Sequence, residues 1–119
     1  MFRDTLASLL RELPGAQSAT VMGFDGIAIE TQDAAGASGQ ELPAAIEVAA
    51  VASQLRRAAE GLSMGAVHEV ALETDRSVTL VRPLTSEYLL ALTMAKDGLV
   101  GKARFKMRVL APRLTAELG

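Results

Sequence analysis

The residue types able to carry acid–base or nucleophilic chemistry are few in this chain. There is one histidine, His68, and no cysteine. That composition leaves no disulfide framework, no thiolate metal site and no cysteine nucleophile. His68 adjoins Glu69, but both fall in a stretch with strand patterning, where neighbours point to opposite faces, so they do not form a direct pair. A lone imidazole without thiolate companions is a poor metal site. Without a nucleophile in register it is also a poor general base. Ser53, Ser63, Ser77 and Ser86 have no histidine that the sequence places beside them. Phosphate loops of the GxxxxGK(S/T) and GxGxxG kinds are absent, and 61–65, which spells G-x-S-x-G, does not sit in the strand–turn–helix setting of a nucleophile elbow. The glycines of 61–65 (GLSMG) lack the lysine and the spacing of a nucleotide site. Acidic residues are scattered rather than paired. The sequence therefore predicts no catalytic residue, no metal ligand set and no cofactor.

One cluster of charge stands out. Lys96, Lys102, Arg104, Lys106, Arg108 and Arg113 gather near the C-terminus with few acids between them. Such a cluster steers an acidic partner or a phospholipid surface, or it is a solvated helix face with Arg108 and Arg113 near the negative end of the helix dipole. Elsewhere the charge is balanced. The chain has 119 residues and a formal charge of −2, which gives no overall attraction to nucleic acid. Phe2, Phe24, Phe105 and Tyr88 are its only aromatics, so surfaces for base stacking are not expected. Half the residues are apolar and 22% are charged, too hydrophobic for disorder and too interrupted for a membrane span. The length suits a single domain over residues 1–119. Arg3 is followed by Asp4 and no apolar core of a secretory signal, so a cytoplasmic location is expected.

These side chains must be positioned by elements legible from periodicity. Phe2, Leu6, Leu9, Leu10 and Leu13 recur at helical spacing before Pro14-Gly15, which stops the helix and supplies a turn. Residues 18–24 (SATVMGF) and 27–31 (IAIET) flank Asp25-Gly26, predicting a hairpin with a type I′ turn. The glycine- and alanine-rich stretch 33–40 reads as a loop. A capping box from Ser38 to Glu41 would set Pro43 too deep, so a helix is expected from Glu41 or Leu42 to about Leu62. Segments 67–74, 77–83 and 86–95 have strand length, and their short connections join only antiparallel neighbours. Leu99, Ala103, Met107, Leu110 and Leu114 then mark a last helix, which Pro112 is expected to bend or fray. The class is α+β, in the order α-β-β-α-β-β-β-α: a five-stranded, mostly antiparallel sheet with three helices able to cover both faces.

The middle helix is apolar on two adjacent stripes. The larger, Ala44, Val48, Val51, Leu55, Ala58 and Leu62, is assigned to the sheet. The second, Ala45, Ala49 and Ala52 continuing into Arg56, either belongs to the same broad core face or packs on the same helix of a twin subunit, since alanines permit close helix approach. Glu47, Gln54 and Arg57 fall on the remaining polar face. That face is a solvated surface or, if helices pair, a shelf open to a partner.

The opening helix ending at Pro14-Gly15, the strand-turn 20–29 (TVMGFDGIAI), the alanine-rich middle helix, the three-strand meander and the stretch 98–109 (GLVGKARFKMRV) together resemble the bacterial roadblock/LC7 proteins over essentially the whole chain. The resemblance implies a five-stranded antiparallel sheet with the first and last helices on one face and the middle helix on the other. It also implies dimerisation through the middle helix and third strand, and partnership with a small Ras-like GTPase. Glu47, Gln54 and Arg57 would then lie on the contact shelf. Nothing singles out Arg56 or Arg57 as an arginine finger. Two further readings stand beside a GTPase-binding regulator: a scaffold subunit of a larger complex with no effect on nucleotide turnover, and a small-molecule sensor.

Overall fold

The computed structural model describes residues 2–119. The first helix, α1 (Phe2–Glu12), buries Leu6 and Leu9 and ends at Pro14-Gly15 as its spacing predicts. Gly15 has a φ of +89°, and a Cβ there would lie 3.1 Å from the Cα of Gly98. Here the chain entering the sheet passes the chain leaving it, and the Ala95 amide donates to the Gly15 carbonyl at 2.8 Å. Two glycines allow that approach.

Strands β1 (Ala16–Gly23) and β2 (Ala28–Asp33) form the expected hairpin, but its turn is not type I′. That type needs positive φ at both central residues. Gly26 has a φ of +87°, whereas Asp25 does not adopt the left-handed region. The loop is longer: the Gly23 amide donates to the Ile27 carbonyl, the Gly26 amide donates to the Gly23 carbonyl, and Asp25 Oδ1 accepts from the Ile27 amide at 3.0 Å. The aspartate side chain holds the turn by bonding two residues ahead.

Helix α2 (Glu41–Gly61) begins as predicted. The Glu41 carboxylate, only 6% exposed, accepts from the Ser38 amide at 3.0 Å, the Ser38 hydroxyl at 3.0 Å and the Gly39 amide at 2.9 Å. Burial pushes its pKa up, but those donors outweigh the burial and hold it below the ordinary carboxylate range. The Glu41 carboxylate thus gathers the Ser38 and Gly39 donors ahead of the first turn, while the Ser38 hydroxyl accepts from the Gln40 amide, and Pro43 sits early enough in the helix to be tolerated.

Strands β3 (Val70–Glu73), β4 (Ser77–Pro83) and β5 (Tyr88–Ala95) make the meander. β3 is shorter than the expected 67–74 stretch. The sheet order is β2-β1-β5-β4-β3, antiparallel throughout, so β2 and β3 are its open edges. Helix α3 (Val100–Leu118) passes through Pro112 and continues for another six residues. The proline is exposed, so water can take the carbonyl left without an amide partner, and the helix is not ended there.

Two cores sandwich the sheet. Leu6, Leu9, Leu13, Val21, Leu80, Leu90, Leu92, Met94, Met107 and Leu114 pack between the sheet and α1 with α3. Met22, Val81, Leu89 and Ala91 pack with Ala45, Val48, Ala49 and Ala52 between the sheet and α2. The first and last helices lie on one face and the middle helix on the other, the arrangement the resemblance implied.

Candidate functional site

The two stripes of α2 exchange the roles expected of them. Ala49 and Ala52 are fully buried and Ala45 nearly so, all against the sheet of their own chain. They are therefore not a surface for a twin subunit. Arg56, at the end of that stripe, sets its guanidinium 4.1 Å from the centroid of the Phe24 ring and donates from Nη1 to the Ser86 carbonyl at 3.3 Å. It clamps the helix to the hairpin through a cation–π contact. In the other stripe only Val48 is buried, while Leu55 is 44% and Leu62 72% exposed, with Val51 and Ala58 also outside the core. The physical reason is distance. Alanines let the helix backbone settle close to a sheet whose own Met22, Val81 and Leu89 supply the bulk, so a stripe of small residues wins the core position over a stripe of larger ones.

The exposed stripe continues onto the sheet edge. Residues paired directly across an antiparallel ladder share a face. Val70 faces Val81 and Leu72 faces Thr79, which puts both on the α2 side. Leu72 is nearly half exposed. Ala44, at the start of the same helical stripe, lines a recess with Arg76 and Ser77 at the β3–β4 turn. Val51, Leu55 and Leu62 on the helix and Leu72 on the strand thus form exposed apolar surface beside the open β3 edge. The stripe has the i, i+4 and i+7 spacing legible in the sequence, but apart from Val48 it faces outward and not the sheet.

Glu47, Gln54 and Arg57 are all exposed. Glu47 and Gln54 lie two turns apart on the pole of α2 that faces away from the sheet. Arg57 lies further round, on the wall of a cleft of about 500 Å³ formed by the C-terminal half of α2, residues 65–68 and the β4–β5 turn. Ser53, His68 and Ser86 also line that cleft, yet among the described residues no hydrogen bond joins the imidazole to either hydroxyl. Glu69 turns the other way: both its carboxylate oxygens accept from Arg104 Nε on α3, at 2.9 and 3.1 Å. Among the described residues no group of His, Asp or Glu side chains could hold a metal ion, and no helix is long and apolar enough to cross a membrane. What the surface offers is area for another macromolecule rather than converging reactive groups.

Comparison with known proteins agrees with this geometry. The chain is 38% identical to MglC from Myxococcus xanthus, each chain covered to 98%, with a TM-score of 0.71. It shares its fold with the gliding protein MglB from Thermus thermophilus, at 22% identity and a TM-score of 0.82, covering 95% of this chain and 84% of that one. A roadblock/LC7 domain from Streptomyces avermitilis has the same fold at 20% identity and a TM-score of 0.82, covering 96% of this chain and 94% of that one. No curated protein matches in sequence. The model of the Roadblock/LC7 domain matches residues 3–94, and the chain belongs to the roadblock/LC7 domain family.

Proposed function

We propose that this chain is a dimeric cytoplasmic regulator without a catalytic site of its own, which binds a small Ras-like GTPase and modulates its GTP hydrolysis. The observation that carries the reading is the exposed apolar surface of Val51, Leu55, Leu62 and Leu72 beside the open edge of β3. Exposed apolar residues gathered next to unpaired strand backbone mark an interaction site. A two-fold axis perpendicular to the sheet would pair β3 with its own copy, extend five strands to ten and bring the two α2 flanks together. The polar poles of the paired helices, with Glu47, Gln54 and Arg57, then form one shelf for the GTPase.

Regulation by such a platform works on the partner's own catalytic groups. Arg56 is committed to Phe24 and Ser86, which leaves it poorly suited to reach a distant phosphate as an arginine finger.

The test is hydrolysis of GTP by a Ras-like GTPase from the same genome, with and without this protein, alongside capture of the GTPase in its GTP- and GDP-loaded states. Faster turnover with state-selective capture is expected. Capture without a change in turnover would assign a scaffold instead, and failure to bind any such GTPase would overturn the reading. Arg57→Glu should weaken capture at least several-fold and leave the dimer intact.

A further inference from the structure

Helix α3 carries a surface that the dimer and its shelf do not use. Its inward face buries Ala103, Met107 and Leu114. On the opposite side Phe105 is 61% and Val109 57% exposed, one turn apart, with the exposed Pro112 a further turn along. Cations flank this ridge: Lys102 and Arg113 on one side, Arg104 and Arg108 on the other. The helix holds five cations against the single acid Glu117, in a chain whose formal charge is −2. Arg104 is paired with Glu69 and Lys106 with Glu12, while neither Lys102 nor Arg108 is in an ion pair among the described residues.

We infer that this face of α3 binds an anionic lipid surface peripherally. An exposed phenylalanine between rows of lysine and arginine is the pattern of a helix that lies in a membrane interface, its ring entering the headgroup region and its cations meeting lipid phosphates. Shape favours a bilayer over a protein groove. Phe105 and Val109 stand out from the helix face opposite its buried side, and neither lines the five main clefts among the described residues. Position favours it as well, because α3 packs on the side of the sheet away from α2, so a partner on α2 leaves this face open.

The full chain is tested by co-sedimentation with phosphatidylcholine vesicles, with and without about one-third phosphatidylglycerol. Sedimentation with the anionic vesicles alone is expected, weakening as salt is raised. The double variant Lys102→Glu/Arg108→Glu should lower partitioning about tenfold or more, and Phe105→Ser several-fold. Both should keep the parent's circular dichroism melting curve, since all three side chains are exposed. Absence of sedimentation, equal sedimentation with neutral vesicles, or variants that partition like the parent would each overturn the inference. Binding to polyglutamate but not to vesicles, lost in the same variants, would also overturn it and give the face to an acidic polypeptide.

Discussion

On the α1/α3 side of the sheet the space between layers is filled by long side chains from both partners: Leu6, Leu9, Met107 and Leu114 from the helices, and Leu80, Leu90, Leu92 and Met94 from the strands. On the α2 side the helix contributes Ala45, Ala49 and Ala52, and the sheet supplies the volume. The first layer is held by mutual interdigitation. In the second α2 turns its alanines and Val48 inward and leaves Val51, Leu55 and Leu62 outward. An apolar flank is the by-product, available for assembly.

The contrast predicts opposite tolerances to volume. Leu80→Ala, on the interdigitated side, should cost about 2–5 kcal/mol, read from urea unfolding. Ala49→Leu, on the close-packed side, adds bulk where none fits and should cost about 1–3 kcal/mol. If Ala49→Leu were neutral, the close approach of α2 would not be the reason for its alanines. Glu41→Gln should cost about 1 kcal/mol by weakening the charge-assisted bonds from Ser38 and Gly39. The native Glu41 pKa lies below its unfolded value, so its contribution is fully present above the unfolded carboxylate range and is lost as pH falls through the native pKa. The gap between parent and variant should therefore close on acidification from neutral pH. Leu55→Arg, on the outward flank, should change stability by no more than about 0.5 kcal/mol while converting a dimer to a folded monomer by light scattering. An unfolded Leu55→Arg protein would mean that the flank belongs to the core after all.

Periodicity was enough to place every element, because helix stops such as Pro14-Gly15 and the short strand connections are local signals. The layering of α2 was not legible from hydropathy. Val51, Leu55 and Leu62 outrank alanine on any transfer scale, yet which stripe faces the sheet depends on how near the helix backbone can come, a property of Met22 and Leu89 on other elements. The hairpin turn failed for a similar reason: Asp25-Gly26 is compatible with a type I′ turn, but the side chain of Asp25 reaches the Ile27 amide and selects a longer loop. Of the expected surface residues, Glu47, Gln54 and Arg57 are outward as their polarity indicated. The apolar flank beside them was visible as a stripe and not as a surface.

The strand order carries a consequence for how the chain reaches this state. The β1–β2 hairpin and the β3–β4–β5 meander are each built from near neighbours in sequence, whereas the central seam joins residues as far apart as Ala16 and Met94. Loop closure of that span is an entropic cost met before the seam's contacts form. During synthesis the finished hairpin must therefore wait, one edge unpaired, until β5 emerges from the ribosome, and the last part of the sheet made is the part that closes its middle.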